Sequence, residues 1–481
     1  MRTSFGDRRP NEVTPDGDGG TKANLRGARK REMNSVTRGG PGVAQRLRMR
    51  VTLVLLGAAL SLLLPSVAQA QSGPRNCTRT SQNLFVRDVL DEYYLWYREL
   101  PRVNPSNYAS PEAYLEAVRY RPLDSTFSYI TSRAANDAFY GESQFVGFGF
   151  STQTGEADLN VLQVFPDSPA SEAGMARGDR IFEINGRSVA DLIRTGAIGS
   201  AFGASAEGVS AAVGVRSRQG VERRFTMTKR VVTIPTVSLT RTFQVDGRTV
   251  GYLLFRNFVN PSYAALDEAF AALREAKATE LVVDLRYNGG GLVDVAVHLG
   301  SLVGGTFTQG RVFAEYRHND RNPELDETLR FESPAQALGL SRLVVITTRS
   351  SASASELVIN SLRPHLPVVV IGDTTFGKPV GQYGFDFCDK VLAPVSFSLV
   401  NADGQGDYFG GIAPTCAAAD DTEHDLGFAD EASLREALFY IRTGGCSAPS
   451  STIAASRVLG QSAGAPQPLG ATGWQALVNA H

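Results

Sequence analysis

A serine-rich stretch and a lysine that follows it are the residues of this chain best suited to covalent chemistry. The stretch RSSASASELVINSLRP, residues 349–364, places four serines within six positions. A serine hydroxyl becomes a nucleophile when a neighbouring base accepts its proton. Lys378 stands in the loop FGKP, in a chain with 42 arginines and six lysines. Because burial lowers the pKa of an amine towards neutrality and arginine cannot lose its proton, this lysine is a candidate base.

Histidine is the more usual base for a serine nucleophile, and the chain has five. His298 falls within a helical pattern, and the others fall in loops or near the end of the chain: His318, His365, His424 and His481. None is clearly placed beside the serine stretch, and the sequence has no G-x-S-x-G nucleophile elbow. The sequence therefore favours a lysine base.

A glycine turn, Asn288 to Gly291, is a second feature with a chemical use. Backbone N–H groups that are free in such a turn can hold the negative oxygen that forms when a carbonyl carbon is attacked. The N–H of Ala354 is a second donor, because it lies at the predicted start of a helix with the helix dipole behind it. A glycine turn alone is usually only a turn, so this prediction depends on the serine nearby.

Strands and helices in alternation must position these residues. Apolar strands are predicted at 249–258, 280–286, 342–348 and 368–373, with helices at 261–278, 292–303 and 355–363. Such strands, joined by helices, predict a mostly parallel sheet that is covered on both faces. Ligands bind outside the carboxyl ends of these strands, so the glycine turn, the serine stretch and the FGKP loop are expected to meet there.

The residues before this sheet have short apolar stretches broken by turns. The segment PDSPASEAGMARGDRIFEINGRSV, residues 166–189, resembles a PDZ domain, and the resemblance extends over roughly 144–232. PDZ domains add a peptide to a sheet edge and hold its terminal carboxylate with the N–H groups of a loop. The resemblance implies that this loop consists of Val146, Gly147, Phe148, Gly149 and Phe150. A β-domain that binds no peptide is the alternative.

Three motifs follow in order, DLRYNGGG, SSASASEL and TFGKPVGQ. Together with the PDZ-like segment they resemble the carboxyl-terminal processing (tail-specific) serine peptidases, over roughly residues 84–440. The resemblance implies a Ser/Lys dyad of Ser353 and Lys378, which lie 25 residues apart, and it implies that Gln382 orients the lysine.

The same resemblance implies that the oxyanion donors are the N–H groups of Ala354 and of Gly290 or its neighbour in the glycine turn. Two positions depart from the family pattern. Pro379 follows the lysine where the family usually has glycine, which removes an N–H group and fixes φ. Pro364 stands where some members have an aspartate, so no acidic third member is supported there.

We therefore predict a multidomain α+β protein with three folded parts. These are a small N-terminal helical domain, a PDZ-like β-rich domain and an α/β catalytic core, for which the resemblance implies a ClpP/crotonase-like sheet with helices. The predicted boundaries are 71–143 for the helical domain, 144–235 for the PDZ-like domain, 236–447 for the catalytic domain and 448–481 for a flexible tail.

The start of the chain predicts export. Residues 49–70, MRVTLVLLGAALSLLLPSVAQA, have the charged start, apolar run and small-residue end of a signal peptide. The run is short for a membrane span, which needs roughly 20 apolar residues, and a retained anchor is the alternative. Residues 1–48 are arginine-rich and are predicted to be disordered or not translated. The mature protein is expected to be periplasmic or extracellular, with only transient membrane contact through the signal peptide.

Charge and cysteines limit the partners. Residues 71–481 carry 36 basic and 44 acidic side chains, which argues against a nucleic-acid partner.

Export permits disulfides, and the predicted pairing is Cys388 with Cys416 and Cys77 with Cys446, with free buried thiols as the alternative. Because no C-x-x-C spacing or histidine cluster accompanies the cysteines, neither a metal nor a cofactor is expected.

These features predict an exported serine endopeptidase whose partners are polypeptides with exposed C-terminal tails. One alternative is a catalytically inactive PDZ scaffold that binds tails without cutting them, suggested by Pro379. Another is a hydrolase of small esters or amides on the same α/β core, against which the PDZ-like segment argues.

Overall fold

The structure is a computed structural model that describes residues 73–74 and 76–448. The predicted signal peptide, the residues before it and nearly all of the predicted tail lie outside the described residues. Among the residues that are described, no helix combines the length and the apolar character needed to cross a lipid bilayer.

The N-terminal segment, residues 76–142, forms three helices and one strand: α1 Arg79–Tyr93, α2 Pro111–Val118, β1 Tyr129–Ser132 and α3 Arg133–Glu142. Serine and threonine side chains start the helices, since Thr78, Ser110 and Ser132 each accept a hydrogen bond from a first-turn backbone N–H. The segment does not bury its apolar face by itself. Its buried side chains share one core with four residues from much later in the chain: Val380, Phe387, Leu392 and Val395.

The PDZ-like region, residues 144–233, contains short strands and three short helices. They are β2 Gln144–Gly147, β3 Phe150–Thr154, β4 Leu159–Val164, α4 Pro169–Glu172, β5 Arg180–Ile184, β6 Arg187–Ser188, α5 Val189–Arg194, α6 Ile198–Ala201, β7 Ser210–Arg216, β8 Glu222–Thr228 and β9 Arg230–Thr233. The main sheet has the order β3-β4-β5-β7-β8, with β6 paired to β5, and β2 pairs separately with β9. This region has its own apolar core, and β3 lies at an edge of its sheet.

The core region, residues 237–443, contains the remaining elements. They are β10 Val237–Val245, β11 Arg248–Phe255, α7 Ser262–Glu275, β12 Glu280–Asp284, α8 Val293–Gly304, β13 Val312–His318, β14 Thr328–Arg330, β15 Leu343–Thr347, α9 Ala354–Leu362, β16 Val368–Gly372, β17 Val380–Gln382, β18 Phe385–Phe387, β19 Lys390–Ala393, β20 Val395–Val400, β21 Cys416–Ala417 and α10 Ala432–Thr443. Single 3₁₀ turns lie at Gly305–Phe307 and Pro323–Leu325 in the core region, and at Tyr97–Glu99 and Pro105–Asn107 in the N-terminal segment.

The central sheet of the core region has the order β10-β11-β12-β15-β16-β21, and every pair from β11 to β21 is parallel. Every residue of β12 and β15 is buried, because helices cover both faces. Alternate residues of each strand enter different cores: Val283 packs with α7, α8 and α9, while Val282 packs with α10. The carboxyl ends of β12, β15 and β16 therefore meet at one rigid edge.

Two antiparallel sheets, which the alternating pattern did not predict, flank this edge. One has the order β14-β13-β20-β17, and β17 begins at Val380, two residues after Lys378. The other has the order β1-β19-β18, and it joins Tyr129–Ser132 of the N-terminal segment to Lys390–Ala393 of the core region. These sheets bring the N-terminal segment to the loop that carries the lysine.

The predicted disulfide pairing is wrong. All four cysteines form disulfides, but Cys77 pairs with Cys388 and Cys416 pairs with Cys446. The ring of Phe85 in α1 stacks on that of Phe387, which brings Cys77 near the β18–β19 turn that holds Cys388. Helix α10 packs across the central sheet and brings Cys446 to the edge strand that begins at Cys416. Both cysteine pairs are determined by tertiary contacts, and the spacing of cysteines in the sequence does not reveal these contacts.

Candidate active site

Three loops meet at the carboxyl edge of the central sheet. The backbone N–H of Ala352 donates to the carbonyl oxygen of Asn288 at 3.0 Å, which joins the serine stretch to the glycine turn. The N–H of Phe376 donates to the carbonyl oxygen of Ser351 at 2.9 Å, which joins the loop before Lys378 to the serine stretch. The three motifs of the sequence therefore lie side by side, as strand parallelism predicts.

A cleft at this edge, here called the main cleft, has about 490 Å³ of empty space, part of which is open to solvent. Its polar wall consists of Gly289, Gly290, Gly291, Ser353, Lys378 and Gln382. Its apolar wall comes from the N-terminal segment and includes Phe127, Tyr129, Phe139 and Tyr140. A cleft with a few convergent polar groups and aromatic walls has the character of a substrate site.

Ser353 occupies a strained position at the amino end of α9. Its φ of 57° and ψ of −115° place it outside the regions that ordinary residues adopt. Its backbone N–H donates to Glu356 Oε2 at 2.8 Å, which holds the serine in this conformation. Strain of this kind persists where surrounding contacts over-determine it, and it concentrates at functional sites.

Two neighbouring serines are committed to structural hydrogen bonds. Ser351 Oγ donates to the carbonyl oxygen of Leu285 at 2.7 Å and accepts from the N–H of Thr348 at 3.0 Å. Ser355 Oγ donates to the carbonyl oxygen of Asn288 at 3.0 Å. Both side chains fasten the serine stretch to the sheet, whereas Ser353 lines the main cleft.

Lys378 is 8% exposed, and its environment favours a neutral amine. Burial lowers the pKa of Lys378 to about 8, although the carboxylates of Asp124 and Glu356 partly oppose this effect. Lys378 Nζ donates to Gln382 Oε1 at 3.0 Å and lies 5.9 Å from the centre of the Phe127 ring. In this structure Ser353 Oγ and Lys378 Nζ line the same cleft without a direct hydrogen bond between them.

The carboxyl group of Glu356 is fully buried, and no role was predicted for it from the sequence. Oε1 accepts hydrogen bonds from Thr375 Oγ1 at 2.5 Å and from the N–H of Gly377 at 2.7 Å. Oε2 accepts from the N–H groups of Ser353 at 2.8 Å and Lys378 at 2.9 Å. Burial raises the pKa of Glu356, and these hydrogen bonds oppose that rise. One side chain thus fixes the backbone of both dyad candidates.

The glycine turn offers N–H groups next to Ser353. A Cβ atom on Gly290, whose φ is 95°, would lie 2.8 Å from the nitrogen of Ala354, so the turn packs directly against the start of α9. The N–H of Gly290 already donates to Asn288 Oδ1 at 2.9 Å. The N–H groups of Gly289, Gly291 and Ala354 have no acceptor among the described residues. The neighbours of Gly290 are thus better placed to serve as oxyanion donors.

A buried network, also missed from sequence, lies beneath the turn. Arg177, from the PDZ-like region, donates to the hydroxyl of Tyr287 at 2.7 Å and to Asp420 Oδ1 at 2.9 Å. The Tyr287 hydroxyl itself donates to Asp420 at 2.6 Å. Arg286, fully buried, forms ion pairs with Asp284 at 2.7 Å and with a second acid, Glu431, at 2.7 Å. The glycine turn therefore rests on groups from two regions of the chain.

No residue of the predicted PDZ loop lines the main cleft. Val146 and Gly147 belong to β2, where they pair with β9. The rings of Phe148 and Phe150 are fully buried in the core of the PDZ-like region. Gly149 has a φ of 90°, and a Cβ atom there would lie 2.1 Å from the Cβ atom of Ser168, so glycine is required at this turn.

The remaining candidates also have defined positions. Pro379 leads into β17, and its carbonyl oxygen accepts a hydrogen bond from the N–H of Leu399 at 3.3 Å.

Of the described histidines, none lines the main cleft. The side chain of His318 is 2% exposed, and it forms hydrogen bonds with Asp326 at 2.9 Å and with the hydroxyl of Tyr383 at 2.8 Å. The cluster of Cys416, Glu436 and Cys446 has ligand-like spacing, but both sulfur atoms are in a disulfide and cannot act as thiolate ligands.

Three family models match the chain. Peptidase family S41 matches residues 249–418, the Peptidase S41 N-terminal domain matches residues 81–129, and the PDZ domain matches residues 161–201. The predicted family resemblance and the predicted multidomain α+β fold class are confirmed by these matches together with the solved structure described below.

Two curated relatives and one solved structure are similar to the chain. A carboxy-terminal-processing protease of Bartonella bacilliformis is 26% identical over 275 residues, which cover 54% of this chain and 60% of the relative. A carboxyl-terminal-processing protease of Synechocystis is 26% identical over 249 residues, which cover 52% and 56%. The chain thus aligns with little more than half of each relative's length. A Bacteroides fragilis structure assigned to the S41 proteases has a TM-score of 0.61 and 27% identity, covering 75% of this chain and 97% of that one.

Proposed function

We propose, from the premise that this chain belongs to peptidase family S41, that it is a serine endopeptidase with a Ser353/Lys378 dyad. The proposed substrates are polypeptides recognised through their C-terminal tails, and the proposed location is outside the cytoplasm. The observation that carries the proposal is the enclosed lysine: its pKa is lowered to about 8 by burial, and it lines the same cleft as the strained serine. A lysine with such a pKa is a competent base near neutral pH.

The proposed reaction begins when neutral Lys378 Nζ accepts the proton of Ser353 Oγ as that oxygen attacks the scissile carbonyl carbon. The N–H of Ala354 and one from the glycine turn hold the resulting oxyanion. When the C–N bond breaks, Lys378 returns the proton to the leaving amine, and the acyl group stays on Ser353. A water molecule, deprotonated by Lys378, then attacks the ester and releases the acid product and the serine.

The proposed role of Gln382 is to orient the amine of Lys378 towards Ser353. Its amide nitrogen donates to the carbonyl oxygen of Phe127 at 2.6 Å, so its oxygen must face Lys378. A neutral amine that donates one N–H to this oxygen keeps its lone pair for the hydroxyl of Ser353. In the proposed mechanism, bound substrate brings the two dyad atoms into hydrogen-bond contact, since catalytic hydrogen bonds often tighten only in the enzyme–substrate complex.

Two further features support the proposals of tail recognition and of export. Strand β3 is an edge strand of the PDZ-like sheet, and a peptide can add to such an edge through backbone hydrogen bonds. Two disulfides are typical of a protein that matures in an oxidising compartment. The predicted signal peptide is in keeping with the same location.

The decisive experiment compares the wild type with Ser353→Ala and Lys378→Ala on an unstructured protein that ends in an apolar tail, with products identified by mass spectrometry. Ser350→Ala is the matched control, because Ser350 lies in the same stretch and its side chain does not line the main cleft. We expect cleavage by the wild type and the control, and none by the two dyad variants. Unchanged cleavage by both dyad variants would refute the dyad, and tail binding without cleavage by the wild type would favour an inactive scaffold.

A further inference from the structure

A second cavity, the side pocket, adjoins the glycine turn that also borders the main cleft. Both cavities are bordered by Phe139, Gly289 and Gly290. The side pocket has about 310 Å³ of empty space, and its floor carries the guanidinium of Arg256. Its remaining walls are largely apolar and include Phe165 and Ile234.

Arg256 is held in place by neutral partners. Its backbone N–H donates to the carbonyl oxygen of Thr236 at 2.7 Å, and Nε donates to Ser238 Oγ at 3.0 Å. Nη1 donates to Gln163 Oε1, from a strand of the PDZ-like region. Nη2 has no acceptor among the described residues, and no described carboxylate lies within ion-pair distance of this guanidinium.

Two arginines nearby, which are more buried than Arg256, have charged partners instead. Arg177 pairs with Asp420 at 2.9 Å, and Arg286 pairs with Asp284 and Glu431. Burial lowers the pKa of Arg256 to about 10, whereas the paired arginines have raised pKa values. The guanidinium of Arg256 has no ion-pair partner among the described residues, although the carboxylate of Asp284 favours its charge at longer range. A carboxylate that entered the side pocket would therefore gain a charge-assisted hydrogen bond.

We propose that the side pocket binds the carboxylate of a polypeptide substrate on Arg256, with the adjoining apolar side chain against Phe139, Phe165 and Ile234. A carboxylate next to an apolar side chain is the chemistry of a chain terminus that ends in an apolar residue. This inference rests on the proposed peptidase function, because the side pocket adjoins the glycine turn of that site. It assigns part of tail recognition to the cleft itself, separately from the PDZ-like region.

The site can be tested by binding, without any cleavage. Ser353→Ala protein would be titrated with three peptides of one apolar sequence: a free C-terminal carboxylate, a C-terminal carboxamide, and the carboxamide with glutamate near its end. We expect the free acid to bind about tenfold or more tightly than the plain carboxamide. Tight binding of the glutamate carboxamide would support a carboxylate site in the side pocket, and it would show that the bound carboxylate comes from a side chain.

Variants separate this site from the PDZ-like region. In the Ser353→Ala background, Arg256→Gln should abolish the preference for the acid, and Arg256→Lys should retain part of it. Arg311→Gln, at an exposed arginine of the core region, is the control and should leave the preference unchanged. If Arg256→Gln keeps the full preference, the carboxylate is bound elsewhere and the inference is wrong.

A crystal structure of Ser353→Ala protein with the free-acid peptide tests the site without altering Arg256. A peptide carboxylate within hydrogen-bond distance of the guanidinium is expected, and a carboxylate held only at residues 146–150 would overturn the inference. Failure of the proposed function is a separate result. It would appear as a wild type that cleaves nothing, while the binding preference and its dependence on Arg256 could still be measured.

Discussion

Gln382 Nε2 donates to the carbonyl oxygen of Phe127 at 2.6 Å, across 255 positions of sequence. This hydrogen bond makes the N-terminal segment part of the lysine's environment. The Phe127 N–H is held in turn by Asp124 Oδ1 at 2.9 Å, and Asp124 Oδ2 accepts from the hydroxyl of Tyr94 at 2.9 Å. A series of hydrogen bonds thus extends from helix α1 to the candidate base.

Asp124→Asn should shift the pH dependence of cleavage. The carboxylate of Asp124 raises the pKa of Lys378, so its removal lowers that pKa and moves the rising limb of kcat/KM to lower pH. Asparagine keeps the oxygen that accepts from the N–H groups of Phe127 and Ser128, and its NH₂ can donate to the hydroxyl oxygens of Tyr94 and Ser128. We therefore expect the fold to persist at some cost in stability. Asp88→Asn, at an exposed residue of α1, is the control and should leave the profile in place. A limb that does not move would contradict the electrostatic role.

The wild type should gain activity with rising pH through a pKa of about 8. Lys378 must be neutral to accept the serine proton, and its pKa is lowered from 10.5, so the base form is lost below about pH 8 and dominates above it. The measurement is kcat/KM between pH 6 and 10 on an unstructured substrate with no group that titrates in this range. A limb centred near 6.5, the ordinary pKa of histidine, would point to a histidine base instead.

Glu356→Gln should damage both stability and activity. The carboxylate accepts four hydrogen bonds, and an amide NH₂ would face donors at one of its two oxygen positions. Leaving two buried donors unsatisfied costs about 2–4 kcal/mol of unfolding free energy. Urea titration checks the stability, and kcat on the folded protein checks the geometry. Glu332→Gln, at an exposed carboxylate, should change neither quantity.

Gly290→Ala should abolish activity in a protein that still folds. The residue has a φ of 95°, and a Cβ atom would lie 2.8 Å from Ala352 O, Ala354 N and Ser353 Cβ. Either the turn or the start of α9 must move, which misplaces the oxyanion donors, and the loss of one such donor lowers kcat by roughly 10²–10³-fold. Gly310→Ala is the control for positive φ alone, since its added Cβ meets nothing within 4 Å.

The two disulfides should have separable effects. Loss of either, through the Cys77→Ser/Cys388→Ser or Cys416→Ser/Cys446→Ser pair of substitutions, should lower the unfolding free energy by about 2–5 kcal/mol. We expect kcat to fall only in the first double variant, because Cys388 lies in the turn that continues to β19 and the segment around Phe127. Equal effects on kcat would contradict this difference.

The sequence predicts the parallel sheet well because continuous apolar strands such as Leu343–Thr347 have few alternatives to burial on both faces. It also indicates the serine stretch and Lys378, since their motifs follow neighbouring strands, whereas the choice of Ser353 among the four serines comes from the family resemblance. Glu356 had a detectable signal, because a glutamate three residues after a helix-starting serine is the spacing of a capping box. Phe127 and Arg256 had none. Their importance depends on which distant segments pack together, and local patterns do not encode that.

The shared core of the N-terminal segment has a consequence for how the protein is made. Helices α1 and α2 are synthesised early, but the residues that complete their core, Val380 to Val395, come much later, and Cys388 lies 311 positions after its partner. Such non-local contacts form slowly and late in folding. A chain interrupted during synthesis therefore has no enclosed lysine. The proposed hydrolytic activity is therefore expected to arise only once the whole described chain has folded.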